Sequence, residues 1–186
     1  LNSIKKNSKF KHEIIIFVNV GDDGTLGYLI QNNYKHLYSE KNLGLCTSVN
    51  RAAKKATSEY ILYSHDDMYF CPGWDTALYN ELNKIQNDKF YLSGTMIESN
   101  SGHIQFDAGS DYNSFNEDLL LSNLEKLYHD DFQGSHWAPH LISKKNWDEI
   151  NGFSEEFNPG TGSDPDLNMK LWLNGVRIFK GIGAFK

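Results

Sequence analysis

The chain has 186 residues, which is enough for one domain with a hydrophobic core of ordinary size. Hydrophobic residues make up 39% and charged residues 23%, a balance that excludes an intrinsically disordered chain. The net charge of −6 argues against nucleic acid as the main partner, because binding a phosphate backbone requires a basic surface, but it allows a nucleotide whose phosphates a metal ion neutralises.

The cysteines and the apolar runs exclude further classes of protein. Cys46 and Cys71 form no Cys-x-x-Cys pair and lie near no histidine at a ligand spacing, so neither a disulfide framework nor a zinc site is predicted. We therefore expect a reducing compartment. No apolar run approaches the roughly 20 residues of a membrane-spanning helix, and we expect no membrane span in this chain.

The first half of the chain alternates between strand and helix patterns. Residues 13–18 form an apolar, β-branched run, typical of a strand that is covered on both faces, and a glycine-rich turn follows at 21–24. In chain order, the patterns predict the end of a surface helix in 1–12, strands over 13–18, 36–40 and 60–64, and helices over 45–56 and 72–86.

The second half mixes strands and helices in a less regular order. Strand patterns over 89–97 and 103–106 flank a predicted turn at 99–102. The remaining patterns predict helices over 116–128, 144–150 and 164–174 and strands over 136–142 and 176–180. Because strands that alternate with helices form layered sheets, the chain is predicted to be a layered α/β domain with a mainly parallel sheet.

Two adjacent carboxylates, Asp66 and Asp67, follow the predicted strand at 60–64. Open α/β sheets bind ligands at the carboxyl ends of their strands. Adjacent strand residues point to opposite faces, so we expect one carboxylate to hold a divalent cation such as Mg²⁺ or Mn²⁺ and the other a sugar hydroxyl. The alternative is an Asp-Asp turn that only closes the strand.

A second acidic cluster lies in residues 160–167, Gly-Thr-Gly-Ser-Asp-Pro-Asp-Leu. The pattern predicts Asp164 as a helix N-cap with Pro165 at the first helical position, and Asp166 then complements the helix dipole. In the functional alternative, this cluster presents a general base at the start of a helix, beneath a mobile glycine-rich loop at 160–162. The residues alone leave both interpretations open.

Four segments, in this order, resemble the family 2 glycosyltransferases, which are nucleotide-sugar-dependent enzymes of the GT-A fold. Residues 13–25 resemble the second strand of the family and its Asp-rich turn. Residues 42–62, with Asn-Leu-Gly at the start and Glu-Tyr-Ile-Leu at the end, are similar to the next family stretch. Residues 64–68 resemble the D-x-D-type metal and ribose site, and residues 144–166, with Asn-Gly-Phe and Ser-Asp-Pro-Asp, resemble the last motif.

The resemblance implies a GT-A-type, Rossmann-like layered sandwich with a mainly parallel central sheet, and a metal-dependent glycosyltransferase of the hexosyltransferase class. It implies that Asp67 is the ligand of Mn²⁺ or Mg²⁺ and that Asp66 contacts the donor ribose or assists the metal. The donor it implies is a UDP-sugar or a dTDP-sugar. The further residues that the resemblance places near this donor are Asn19, Asn42, Gly44 and Asn50.

On the acceptor side, the resemblance implies that Asp164 is the catalytic base of an inverting transfer and that Asp166 supports its loop or contacts the acceptor. His136 and Trp137 are expected to hydrogen-bond or stack on a sugar, with a buried, structural Trp137 as the alternative. The implied acceptor is a glycan or a lipid-linked molecule in surface polysaccharide or glycoconjugate synthesis. The implied location is cytoplasmic, with the inner face of a membrane as a further option.

We expect a single catalytic domain over 1–186, with a nucleotide-sugar-binding half at 13–98 and an acceptor-binding half at 99–186. The first strand of the family has no counterpart here, and the chain stops soon after the last predicted strand, so we expect a domain truncated at both ends. Val18 stands where the family usually has a base-contacting aspartate, and Ser163 replaces the usual glutamate before the base.

Three rival interpretations remain open. A non-catalytic relative of the same fold would bind a nucleotide or a carbohydrate without turnover, and the departures at Val18 and Ser163 favour it. A metal-dependent hydrolase or phosphatase requires a richer cage of histidines and aspartates than this sequence suggests. A purely structural domain would use its acids only in turns and helix caps.

Overall fold

The structure, a computed structural model, describes residues 1–127, 129–134 and 138–183. The chain divides into two compact units, each assembled from separate stretches. The first unit comprises Leu1–Lys11, Ser64–His140 and Ile178–Lys186, and the second comprises His12–Tyr63 and Leu141–Arg177. The predicted donor residues between 19 and 50 and the acidic cluster at 164–166 therefore belong to the second unit, whereas the acidic pair at 66–67 belongs to the first.

Strands and helices follow one another along most of the described chain. The strands are β1 (Ile15–Asn19), β2 (Lys35–Ser39), β3 (Tyr60–Tyr63), β4 (Phe90–Ser93), β5 (Ile97–Glu98), β6 (Ile104–Gln105), β7 (Phe132–Gln133), β8 (His140–Ser143) and β9 (Ile178–Gly181). The α-helices are α1 (Asn2–Asn7), α2 (Thr25–Gln31), α3 (Leu45–Ala53), α4 (Trp74–Ile85), α5 (Glu117–Asn123), α6 (Lys144–Glu149) and α7 (Ser163–Leu173). Short 3-10 helices cover Leu124–Lys126 and Glu155–Phe157. The predicted α/β class is confirmed.

The second unit contains a parallel strand pair, β1 and β2. The two strands are in register from Ile15 opposite Lys35 to Asn19 opposite Ser39. A parallel pair needs a crossover connection, which α2 supplies, and α3 packs against β1. Strands β3 and β8 are neighbours in a sheet. Asn19 consequently lies at the carboxyl end of β1, the end at which we expect a ligand.

The first unit contains a mixed group of strands. Strand β4 pairs in parallel with β9, from Phe90 opposite Ile178 to Ser93 opposite Gly181. The short strand β7 pairs with β9 in the antiparallel sense. Strands β5 and β6 form a separate parallel pair of two residues each. The strand pairing of this protein is therefore mixed rather than purely parallel.

Each unit has its own aromatic core. In the second unit the Phe153 ring packs edge-on against Tyr63 and Trp147, with its centroid 5.4 Å from each ring centroid. In the first unit Tyr91 lies against Phe179, with centroids 5.6 Å apart. Phe153 and Tyr91 are almost completely buried. Burial of a ring such as Phe153 contributes about 1.5–3 kcal/mol to folding, so these clusters stabilise each unit from within.

Helix α7 begins at Ser163, two residues earlier than the acidic motif predicts. Its N-cap is Gly162, whose φ of 84° lies in the left-handed region that glycine adopts at little cost. The prediction of Asp164 as the N-cap is therefore wrong, because Asp164 lies in the first helical turn. Pro165 is accommodated there since first-turn N–H groups have no acceptor within the helix. Asp164 and Asp166 still lie near the positive end of the helix dipole.

Other elements also differ from their predicted bounds. Helix α2 lies where the patterns predict no element, because Gly27 weakens its helical signal. The helix predicted over 116–128 ends as an α-helix at Asn123 and continues as a 3-10 helix to Lys126. The strand predicted over 136–142 is described only from residue 138, and β8 begins at His140.

Glu13 links the start of β1 to two other segments of the second unit. Its Oε1 accepts a hydrogen bond from Lys35 Nζ at 2.6 Å, and its Oε2 accepts one from the Thr57 N–H at 2.8 Å. These hydrogen bonds lower the pKa of Glu13 from 4.5 to about 2, and the bond from Lys35 has the largest effect. Because the folded pKa lies below the unfolded one, the carboxylate stabilises the fold above pH 4.5, and this stabilisation is lost as the pH falls toward 2.

We expect Glu13→Gln to lower the free energy of unfolding at pH 7 by about 1 kcal/mol, a value reduced for partial solvent screening. The side chain of Glu13 is 24% exposed. Chemical denaturation of wild type and variant at pH 7 and near pH 2 measures the effect, which should shrink at the lower pH. Glu40→Gln, at an exposed residue of the same unit, is the control. If the difference in free energy of unfolding between wild type and variant is as large near pH 2 as at pH 7, the effect does not come from the charge of Glu13.

Candidate functional site

Asp66 and Asp67 lie in a turn directly after β3. Both residues are exposed, and neither carboxylate makes a hydrogen bond or an ion pair with any residue in the described part of the chain. The Ser64 hydroxyl donates a hydrogen bond to the His65 carbonyl at 3.1 Å at the start of this turn. The two carboxylates are therefore available to a ligand.

The donor atoms of this turn fit a divalent cation that is shared with a substrate. Within residues 1–127, 129–134 and 138–183, no group of three or more His, Cys, Asp or Glu side chains is arranged to hold a metal ion. Mg²⁺ is commonly bound by one or two carboxylates together with substrate phosphates, and Mn²⁺ also suits oxygen ligands. The exposed Asp66 and Asp67 match that arrangement, in which a diphosphate would complete the coordination.

The predicted donor loop at 42–44 is held at the end of β1 in the second unit. Asn19 Oδ1 accepts a hydrogen bond from the Leu43 N–H at 3.0 Å, and Asn19 Nδ2 donates to Ser48 Oγ at 2.9 Å. Asn42 Oδ1 accepts from the Gly44 N–H at 2.9 Å. The structure thus brings Asn19, Asn42 and Gly44 together, and these side chains shape the loop. Their contacts with a donor stay a prediction.

Asn50 links α3 to the segment that follows α6. This asparagine is 6% exposed. Its Nδ2 donates to the Phe153 carbonyl at 2.8 Å, and its Oδ1 accepts from the Phe153 N–H at 2.9 Å. Both ends of the amide are therefore engaged by one backbone residue. The observed role of Asn50 is structural, and its predicted donor contact stays a prediction.

The acidic cluster at the start of α7 is anchored within the second unit. Asp166 Oδ2 accepts a hydrogen bond from the Ser154 hydroxyl at 2.6 Å. Lys170 Nζ donates to the Gly152 carbonyl at 2.6 Å and lies 3.3 Å from the Ser154 Oγ. Asp164, two residues before Asp166, is partly exposed. Asp166 is thus fixed against the preceding segment, and the role of Asp164 as a base stays a prediction.

Glu155 is a carboxylate hydrogen-bonded to α3 that the sequence patterns do not single out. Its Oε2 accepts a hydrogen bond from the Thr47 hydroxyl at 2.7 Å, and Asn50 Nδ2 lies 3.3 Å from its Oε1. The hydrogen bond from Thr47, followed by that from Asn50, lowers the pKa of this carboxyl group. No local signal marks Glu155 in the sequence, because its partners Thr47 and Asn50 lie more than 100 positions away in the chain.

The predicted site residues are divided between the two units, and most of them belong to the second. The second unit holds Asn19, Asn42, Gly44, Asn50, Asp164 and Asp166, and the first unit holds Asp66 and Asp67. The predicted acceptor residues His136 and Trp137 lie outside the described residues. The second unit therefore combines the predicted donor loop with the predicted base, and the first unit carries the predicted metal ligand.

Comparison with known proteins identifies the family. Residues 1–138 match the profile described as Glycosyl transferase family 2. This chain belongs to glycosyl transferase family 2. The match includes the predicted donor loop at 42–44 and the Asp66–Asp67 turn of this family 2 chain, and it ends before Asp164.

Solved structures share the fold of this family 2 chain. TarS 1–349 from S. aureus matches with a TM-score of 0.66 and 16% sequence identity, covering 97% of this chain and 54% of TarS 1–349. A complex of the same TarS fragment with UDP gives the same values. GalNAc-T7 with UDP, GalNAc and Mn²⁺ matches with a TM-score of 0.66 and 14% identity, covering 97% of this chain and 39% of that one. The predicted GT-A-type fold is confirmed.

This family 2 chain spans about half of TarS 1–349 and less of GalNAc-T7. A comparison with curated protein sequences gives no match. None of the helices in the described ranges is both long and apolar enough to cross a membrane.

Proposed function

We propose that this family 2 chain transfers a sugar from a nucleoside-diphosphate sugar to an acceptor hydroxyl, with inversion at the anomeric carbon. The observation that carries the proposal is the family match over residues 1–138, which contains the exposed Asp66–Asp67 pair. The ligands of the matching structures, UDP with TarS and UDP, GalNAc and Mn²⁺ with GalNAc-T7, belong to those proteins. They support a UDP-sugar as the first donor to test and a dTDP-sugar as the second.

The donor side of the proposal uses the turn after β3 and the loop after β2. Asp67 holds Mn²⁺ or Mg²⁺, and Asp66 contacts the donor ribose or assists the ion. A divalent cation bound there offsets the negative charge that builds on the leaving nucleoside diphosphate. The residues that line or shape the rest of the donor site are Asn19, Asn42, Gly44 and Asn50.

The acceptor side uses the start of α7. Asp164 accepts the proton of the acceptor hydroxyl as that oxygen bonds to the anomeric carbon, and the bond from this carbon to the diphosphate oxygen breaks. Attack from the face opposite the leaving group inverts the configuration. Asp166, fixed through Ser154, supports the loop or contacts the acceptor. His136 and Trp137 contribute sugar contacts in this proposal.

The proposal extends to the division of the chain and its pathway. Residues 13–98 form the nucleotide-sugar-binding half and residues 99–186 the acceptor-binding half. The acceptor is a glycan or a lipid-linked molecule, and the reaction serves surface polysaccharide or glycoconjugate synthesis in the cytoplasm, with the inner face of a membrane as the second location.

Thermal unfolding in the presence of candidate donors tests the proposal directly. A ligand that binds only the folded state raises the midpoint, by about 5–10 °C at a concentration 100 times its Kd for a chain of this size. We expect UDP and UDP-sugars to raise the midpoint more with Mn²⁺ than with a chelator. The matched controls are UMP with Mn²⁺ and Mn²⁺ alone, which lack a diphosphate to share the ion.

The outcomes separate the rival functions. A diphosphate-specific, Mn²⁺-dependent shift followed by sugar transfer to an acceptor supports the transferase. The same shift without any transfer supports the non-catalytic relative, and free sugar released without an acceptor supports a hydrolase. No shift with any nucleoside diphosphate would overturn the proposed donor class.

A further inference from the structure

The start of helix α3 receives its hydrogen-bond acceptors from a distant part of the second unit. Helix α3 begins at Leu45, and its N-cap is Gly44, which has no side chain that could accept a hydrogen bond from the helix. The first N–H groups of any helix have no partner within it and need acceptors from elsewhere. At α3, two of those acceptors belong to residues 158 and 159, more than 100 positions later.

Asn158 supplies the central contact. Its Oδ1 accepts a hydrogen bond from the Cys46 N–H at 3.0 Å, and its Nδ2 donates to Thr47 Oγ1 at 2.8 Å. The neighbouring Pro159 carbonyl accepts from the Leu45 N–H at 3.0 Å. Asn158 therefore caps α3 with its side chain while its own backbone belongs to the segment that leads into α7.

The contact is close and shielded from water. Gly44 has a φ of 77°, and a Cβ on this residue would lie 2.4 Å from Asn158 Oδ1, so the asparagine occupies the space beside the glycine. Cys46 is completely buried. A buried N–H that loses its acceptor bears the full cost of desolvation, so solvent does not readily replace Asn158.

The residues between Asn158 and Asp164 also pack against the start of α3 or bond to one another. An added Cβ on Gly160 would lie 3.4 Å from Leu45, and the Ser163 hydroxyl donates to the Gly160 carbonyl at 2.6 Å. Ser163 is 3% exposed and directly precedes Asp164. Burial raises the pKa of the nearby Cys46 thiol, and the carboxylates of Glu155 and Asp164 add to this effect, consistent with their closeness to the start of α3.

We propose that Asn158 is a positioning residue, which holds the 158–164 segment, and with it Asp164, against the start of α3. This inference rests on the proposed function for the role of Asp164. It assigns Asn158 no contact with donor or acceptor. It also implies that the glycine-rich approach to α7, expected from the sequence to be mobile, is fixed at its first residues.

The donor loop has its own hydrogen bonds, which do not involve Asn158. Asn19 Oδ1 accepts a hydrogen bond from the Leu43 N–H, and Asn42 Oδ1 accepts one from the Gly44 N–H. The Ser48 hydroxyl donates to the Gly44 carbonyl at 2.6 Å. Loss of Asn158 should therefore release the segment that carries the base more than the loop that faces the donor. This predicts a change in kcat with little change in donor affinity.

The test compares Asn158→Ala with Ser143→Ala, which removes a side-chain cap elsewhere in the same unit. Ser143 Oγ accepts from the Asn146 N–H at 3.2 Å at the start of α6, so both variants leave one helix N–H without its acceptor. We expect N158A to lower kcat by about 10- to 100-fold, since small displacements of a catalytic group are costly. The Kd for UDP, measured by calorimetry without turnover, should change by less than about threefold. S143A should leave both values near those of wild type.

A conservative variant and a second readout complete the experiment. Asn158→Asp keeps an oxygen acceptor for the Cys46 N–H and should recover part of the kcat that N158A loses. Amide hydrogen exchange in 158–164 should be faster in N158A and unchanged in S143A. Unchanged exchange, or a kcat equal to that of S143A, would overturn the positioning role. If wild type binds UDP but transfers no sugar, the proposed function fails, and hydrogen exchange alone still decides whether Asn158 holds the segment.

Discussion

Replacing Asp164 with asparagine is expected to lower kcat for sugar transfer by about 10²- to 10⁴-fold while leaving donor binding intact. The amide retains the size of the carboxylate but cannot accept the proton of the acceptor hydroxyl. Asp164 is partly exposed in the first turn of α7, so the substitution removes a charge without opening a cavity in the core. Steady-state transfer assays measure kcat, and calorimetry with UDP and Mn²⁺ measures donor affinity separately.

Glu156→Gln is the matched control for Asp164→Asn. Glu156 is exposed in the 3-10 helix of the same unit, so its substitution likewise removes one negative charge from that unit. We expect E156Q to retain wild-type kcat. Equal losses of transfer and of donor binding in D164N would contradict the role of Asp164 as a base, because that pattern indicates a donor contact or a misfolded site.

Asp67→Ala is expected to abolish the part of donor binding that depends on the metal ion. Asp67 is exposed and makes no hydrogen bond within the described residues, so its removal should cost little stability. In wild type, Mn²⁺ should tighten UDP binding relative to a chelator, and in D67A this difference should disappear. Loss of a metal-site residue lowers metal affinity by at least about 10- to 100-fold, which sets the size of the expected change in Kd.

Two further variants, one at the neighbouring carboxylate and one control, are compared with Asp67→Ala. Asp66→Ala should weaken UDP binding both with and without Mn²⁺ if Asp66 contacts the ribose, and only with Mn²⁺ if it assists the ion. Glu125→Ala, at an exposed carboxylate in the same unit, should have no effect. Mn²⁺-dependent binding in D67A that equals wild type would refute Asp67 as the ligand.

The regular elements with strong apolar patterns were predictable from the sequence. The strand predicted over 13–18 corresponds to β1 at Ile15–Asn19, and the helix predicted over 72–86 corresponds to α4 at Trp74–Ile85. In both cases the spacing of apolar side chains along the chain matches the repeat of the element, a strand or a helix. The same reasoning missed α2, whose Gly27 and exposed residues weaken the pattern, and misplaced the N-cap of α7.

The candidate site was only partly predictable. Asp66, Asp67 and Asp164 stand out in the sequence because acidic residues beside predicted strand ends and helix starts are a local signal. The hydrogen bonds of Asn50 with Phe153 and of Asn158 with Cys46 leave no such signal. The partners are more than 100 positions apart, and an asparagine in a loop is otherwise typical of a turn.

The sequence by itself determined the α/β class, the order of the main elements and the acidic residues proposed to carry the chemistry, because each depends on local patterns of hydrophobicity and charge. Only the tertiary structure decided which polar side chains build the site from within. It places Asn19 and Asn42 as supports of the predicted donor loop, Asn50 as a link between α3 and Phe153, and Asn158 as the cap of α3. Such roles arise when buried N–H and C=O groups must find partners, and the fold alone brings those partners together.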